Sequence, residues 1–294
     1  SLADVLRAHA AWLANSPDGR RADLSGATLN DEDLHGAKLA RALLHGVTLL
    51  DANLAGADLS GADLERGDLQ RANLAGADLT GANLTETQLA GAWLRNACLS
   101  EAAIRQANFR RAKLDQAQML DATAFDTSFI EVTAEGINLH QSRFNDTDWS
   151  DSQLTGAQFY HARLRHCSFT NVTAPGAIFR GSNLEHCNFS RAQLNEIKFQ
   201  RAEMTQCIFR DANLRDADFR EARLRGGDFS RAILAGARFG GPHLATADFR
   251  GANLRGAREL TGDQLVQSLT DRSTILPNGA NGPYMRYSGA EKPR

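Results

Sequence analysis

Residues 52–84 read ANLAGADLSGADLERGDLQRANLAGADLTGANL, with a leucine at every fifth position. Five residues along an α-helix turn the side chain by roughly 500°, about 140° net, so these leucines would spread around the cylinder. A strand alternates with period two and would send successive leucines to opposite faces. Neither element buries this pattern, and the chain is therefore read as a repeat before it is read as separate elements.

The phase extends far beyond the quoted stretch. Counting by fives from Leu24 to Leu254 gives 47 positions, holding 27 Leu, 13 Phe, two Met, one Ile, one Trp and three Ala. The position two before each is usually Ala and otherwise mostly Val, Ile, Thr, Ser, Cys or Gly, with Glu32 and Pro242 as exceptions. One large and one small residue per pentad point inward, so the path is narrow and turns at every pentad. From Leu154 onward, Phe recurs every ten residues, through Phe159, Phe179, Phe199, Phe219 and Phe239 on one series and Phe169 to Phe249 on the other. Cys167, Cys187 and Cys207 lie twenty apart in the small slot. Ten suits half a turn and twenty a whole one, so four pentads make a coil, about 12 coils in all. Asn or Asp commonly precedes the large residue, where its side chain can bond a backbone N–H stranded at a corner.

The pattern A-(N/D)-L-x-x resembles the pentapeptide repeat family. The resemblance implies an all-β fold, a right-handed quadrilateral β-helix (a solenoid) with short helical caps at both ends. It also implies a non-catalytic interaction module, some members being secreted effectors and others binding DNA gyrase in place of a DNA duplex.

Residues 1–19 read as an N-terminal helical cap and turn. Ser1 and Asp4 have capping-box spacing, Leu2, Val5, Leu6, Trp12 and Leu13 make an apolar stripe, and NSPDG at 15–19 is a stop. Residues 20–258 form the repeat region. Residues 259–277 read as a C-terminal cap, with Thr261 and Gln264 spaced as a capping box and Leu265, Val266 and Leu269 on a short helix over the last coil. This segment resembles a terminal element of bacterial family members. Residues 278–294 have the composition of a flexible tail. One flaw interrupts the repeat: Ala124 and Ala134 occupy large slots, and Phe125 beside them is out of phase. Either a local shift lets Phe125 or neighbouring large residues fill the void, or the segment makes a bend or an exposed aromatic used for binding.

No motif names a reaction. No Gly-rich loop joins a strand to a helix, and the Cys ladder forms a straight column rather than a tetrahedron, so neither a metal nor a cofactor is expected. His166 and His186, twenty apart, would stack on the surface without a third ligand. No apolar run approaches the ~20 residues that span a bilayer, and the first residues lack the build of a signal peptide. The expectation is a cytoplasmic protein, or one exported without a cleaved leader.

Charge separates along the chain despite a net of only -2. Residues 23–100 carry 11 acidic and 5 basic side chains, residues 115–160 carry 8 and 1, and residues 161–258 carry 9 and 16. Such separation orients a partner. The candidate partner surface comprises Asp58, Asp63, Asp68, Asp78, Phe125, Asp146, Asp148, Asp151, Arg191 and Arg231. The expected partner is another protein, with a type II topoisomerase as the alternative. Arginines scattered over several columns, interrupted by acids, argue against nucleic acid, which favours one continuous stripe.

Overall fold

The computed structural model describes residues 1–241 and 243–293; Pro242, the small-slot exception, and Arg294 lie outside the described residues. Each pentad is one short side followed by a corner. At the first corner the N–H of Ala27 donates to the carbonyl of Leu24 at 3.0 Å, and Gly26 between them has φ +66°. A positive φ at the third turn position is what a type II turn requires. The repeat places this conformation at every fifth residue, and Asp, Arg, Glu and His occupy it as well as Gly.

Successive turns stack in a register of 20 residues. Asp23 bridges Leu43, Lys38 bridges Asp58 and Asp58 bridges Asp78, all parallel. The N–H of Leu24 donates to the carbonyl of Leu43 at 2.8 Å, and the N–H of Leu43 to that of Ala22 at 2.9 Å. Four pentads therefore complete one turn of a pentapeptide-repeat β-helix. Most sides are too short for a regular strand, since only one residue per pentad is extended and paired. The exceptions are β1 (Ala103–Arg105), β2 (Thr123–Phe125), β3 (Arg143–Asn145) and β4 (Arg163–Arg165), each three residues long. β1 pairs in parallel with β2, Ile104 opposite Ala124.

The chain forms two compact units, Ser1–Arg143 and Phe144–Arg294. The first unit has a core of leucines, from Leu24 to Leu139, with almost every one fully buried. The second is built on phenylalanine. Phe159 lies over Phe179 with ring centroids 4.3 Å apart and 7° between planes. Phe169 and Phe189 stack at 4.7 Å and 4°. The two columns meet edge to face, Phe159 against Phe169 at 6.1 Å and 89°. Both arrangements suit the aromatic quadrupole, which disfavours the eclipsed sandwich. Cys167, Cys187 and Cys207 are buried beside these columns, acting as slightly larger alanines. The thiols of Cys187 and Cys207 donate to the carbonyls of Leu164 and Leu184.

At the N-terminus, α1 (Leu2–Leu13) carries the reciprocal Ser1–Asp4 capping box. Its His9 is fully buried and meets the first turns: Nδ1 accepts from the Ala22 N–H at 3.0 Å, and Nε2 lies 3.0 Å from the Ala40 carbonyl. Glu32 is exposed despite holding a small slot, in the opening turns where Ala27 and Ala37 are only half buried.

At the other end, α2 (Gly262–Val266) has the Thr261–Gln264 capping box. It is shorter than the sequence reading implies. Leu265 is buried, but Val266 is exposed, and Leu269 lies beyond the helix, in a bridge with Asp248. Asn253 bridges Ile275, so the wall continues after the repeats with registers of 21 and 22 in place of 20. Residues 278–293, tail-like by composition, fold back in the structure. Ile275 and Asn281 form an antiparallel bridge, the Tyr284 hydroxyl donates to Glu291 at 2.9 Å, and Ala290 is buried.

Candidate interaction surface

Of the five residues in each pentad, the one just before the large core residue and the two after it face outward. The acidic candidates in the first unit hold the first of these slots, and one oxygen of each serves the corner. Asp58 Oδ1 accepts from the Ser60 N–H at 3.0 Å and its hydroxyl at 2.6 Å. Asp63, Asp68 and Asp78 accept likewise from the N–H groups of Glu65, Gln70 and Thr80 at 3.2, 3.2 and 2.9 Å. These are Asx turns, the local bonds that Asp and Asn form most readily. Asp58 and Asp78 share one side through their bridge, whereas Asp63 pairs with Leu43 and Asn83, and Asp68 with Thr48 and Gln88. The four acids therefore occupy three different sides and make no single patch.

In the second unit Asp146, Asp148 and Asp151 do come together, on one side and its two flanking corners. Asp148 Oδ1 is held by the Ser150 N–H at 2.9 Å, while Asp146 and Asp151 are exposed corner residues with φ of 53° and 62°. The corner column of Asp151 continues through further candidates. Asn171 Nδ2 donates to Asp151 at 3.0 Å, and Arg191 Nε donates to Asn171 Oδ1 at 2.8 Å. Farther along, Arg231 grips both oxygens of Asp211 at 2.7 Å. The Arg231 guanidinium holds the Asp211 carboxyl below the usual carboxylate range. Asp151, Arg191 and Arg231 thus lie in one line, but each is engaged with a neighbour.

The same self-pairing runs through the basic segment. Arg201 pairs with Glu221 at 2.9 Å, Arg210 with Asp228, Arg220 with Asp218 and Arg250 with Asp248, each at 2.6 Å. A phosphate ligand at these four arginines would have to displace their carboxylates. His166 and His186 stack in parallel with centroids 5.0 Å apart.

Phe125 stays on the outer surface of the wall. It does not move inward to fill the space beside Ala124: it is 44% exposed, with the Arg105 guanidinium 5.5 Å from its ring centroid. Ala124 itself stays buried, so the phase of the repeat is kept and its neighbour remains outside.

A larger feature escaped the sequence reading. Trp93 occupies the outward slot before Leu94, where Asn and Asp are the commonest residues, and is 58% exposed. It lines an open hollow of about 770 Å³ together with Arg95, Lys113, Asp115, Gln116 and Glu135. A tryptophan in a slot that otherwise favours small polar residues was the available signal.

The pattern is also matched by known families. A model described as "Pentapeptide repeat region" matches residues 102–179 and 175–257, and one described as "Pentapeptide repeats (8 copies)" matches 20–49, 33–66 and 68–100. Solved structures include HetL of the cyanobacterium Nostoc, a pentapeptide repeat protein involved in heterocyst differentiation regulation. It is 22% identical, with 93% of this chain and 97% of that one covered, at a TM-score of 0.28. QnrB1, a plasmid-mediated fluoroquinolone resistance protein, is 16% identical over 53% of this chain and 82% of that one, at 0.34. A pentapeptide repeat protein of the Arabidopsis thaliana thylakoid lumen is 33% identical over 33% of this chain and 63% of that one, at 0.25. No curated protein matches in sequence. With the family models covering most of the turns, and the 20-residue register and filled interior already described, this chain is a member of the pentapeptide repeat family.

Proposed function

We propose that the protein is a protein-docking module and that the hollow around Trp93 is the centre of its binding surface. The carrying observation is the 58% exposure of Trp93 on a wall whose inward residues are fully buried. Large aromatics that leave the core are costly in water and are over-represented among residues that dominate binding energy. Arg95, Lys113, Asp115 and Glu135 around it supply charges of both signs, suited to a polar rim that orients a protein partner. Phe125 with Arg105 offers a second exposed aromatic in the same unit. In this reading residues 1–19 and 259–277 close the repeat region 20–258 as caps. The winding is the right-handed one that the family resemblance implies, in about 12 turns.

Capture from cell lysate by the wild-type chain and by Trp93→Ala tests the reading. A partner held by the wild type should bind the variant at least roughly tenfold more weakly, the scale of a central aromatic anchor. Folding stability should stay within about 0.5 kcal/mol, as for other surface changes. A partner bound equally by both would remove Trp93 from the interface. The second reading, a mimic of duplex DNA that occupies a topoisomerase, draws on the excess of acid in residues 23–100 and 115–160. A gyrase supercoiling assay with and without a quinolone separates it, since a chain that neither inhibits the enzyme nor rescues it from the drug does not have that partner.

A further inference from the structure

The coil register brings three unlike ligand groups to one point on the first unit. The N–H of Leu44 donates to the Asp63 carbonyl and that of Gly46 to the Glu65 carbonyl, both at 2.8 Å, so His45 lies alongside the Asp63–Leu64–Glu65 side of the next turn. One ring nitrogen of His45 and one carboxylate oxygen each of Asp63 and Glu65 lie within 4.8 Å of one another. Three atoms so spaced share a point no more than about 2.8 Å from each. Zinc bonds to nitrogen and carboxylate oxygen are ~2.0–2.2 Å, so side-chain rotations that move each ligand atom inward by at most about 0.8 Å close the site.

The donors are poised for it. Asp63 uses only Oδ1 in its turn, accepting from the Glu65 N–H at 3.2 Å and from Asn83 Nδ2 at 3.0 Å, which steadies the carboxylate and leaves Oδ2 for a cation. Asn83 Nδ2 also reaches Glu65 Oε2 at 3.4 Å. His45 is exposed and the two acids are half-buried, so an ion has access from solvent. The backbone at these positions is held by the stacked turns, so binding has only the three side chains to order.

We propose that His45, Asp63 and Glu65 form a site for a divalent transition ion of the zinc class. An imidazole with two carboxylates suits Zn²⁺ or Co²⁺, whereas calcium takes six to eight oxygens and magnesium prefers an octahedral, largely hydrated shell. Three protein ligands leave the fourth tetrahedral position to water or to a side chain of a bound protein. The stacked pair His166 and His186 is the competing site, and it provides two imidazoles of one type with no converging carboxylate described.

The test is titration of the full chain, free of any histidine tag, with Co²⁺ followed by its visible absorption, then displacement by Zn²⁺. One equivalent should saturate with a tetrahedral spectrum. His45→Ala and Asp63→Asn should each weaken binding by roughly tenfold or more, and the double change of His166 and His186 to Ala should leave it unaltered. Zn²⁺ should raise the melting temperature of the wild type and not that of His45→Ala. Absence of saturation at one equivalent, or equal binding by wild type and His45→Ala, overturns the proposal.

Discussion

At the scale of single residues, two buried polar groups show how the interior sets chemistry. His9 is neutral where it stands, because Nδ1 accepts the Ala22 N–H and cannot also carry a proton. Burial pushes its pKa below the ordinary 6.5, Arg21 and Arg41 push the same way, and the Ala40 carbonyl opposes them. In the window between that lowered value and 6.5 the unfolded chain therefore binds more protons than the folded one. The His9 contribution is complete above about pH 6.5 and is lost as the pH falls through the folded value. Thermal melts at about pH 7.5 and about pH 5 should show a larger drop for the wild type than for His9→Gln, which cannot titrate. The cysteines make the second case. Burial pushes the Cys207 thiol up to about 12 and that of Cys187 well above its usual range. The thiolate is the reactive form, and Cys167, Cys187 and Cys207 are all closed off from solvent, so a thiol reagent near neutral pH should reach half-buried Cys98 alone in the native protein. All four cysteines should react in denaturant.

At the scale of elements, the seat of α1 depends on a glycine with an ordinary backbone. A Cβ on Gly19 would lie 2.3 Å from the Trp12 backbone nitrogen and 2.4 Å from its Cα. Backbone cannot yield as a side-chain tip can, so Gly19→Ala must displace the last turn of α1. Overpacking of this kind costs about 1–3 kcal/mol, and here it also disturbs the His9 bonds to Ala22 and Ala40. The expected result is a lower melting temperature, with Trp12 fluorescence reporting loss of its packing. α2 shows why the C-terminal segment was only partly legible. Its capping box at Thr261 and Gln264 is a local signal and appears as read. Leu269 follows a different rule, because its fate depends on whether Asp248 in the preceding turn offers a free pairing edge.

At the scale of the whole molecule, each compact unit gains its stability between neighbouring turns, since one turn alone has little to bury against. In the second unit the two phenylalanine columns link every turn from Phe159 to Phe249. Phe199 stacks on Phe219 at 5.5 Å and meets Phe189 and Phe209 edge-on at 5.8 Å. Phe199→Ala removes all of these contacts and should cost about 3–5 kcal/mol. It should also broaden the denaturant transition, because a weakened interface uncouples the turns on either side. Phe199→Leu fills more of the space and should cost less, with a transition nearer the wild type.

The turn of twenty residues, the inward set from Leu24 to Leu254 and the Asx bonding at the corners were legible in the chain itself. They follow from strictly local spacing, repeated until only one winding could bury it. What only the tertiary structure decided were the surface relations. Asp58, Asp63 and Asp68 point from different sides, Arg231 is spent on Asp211, Phe125 stays outside, and Trp93 opens into a hollow. These depend on which side chains meet twenty residues apart, and on rotamers chosen among neighbours in the adjacent turns. A period of five leaves such choices open, because it fixes which residues face outward but not which neighbour each side chain meets.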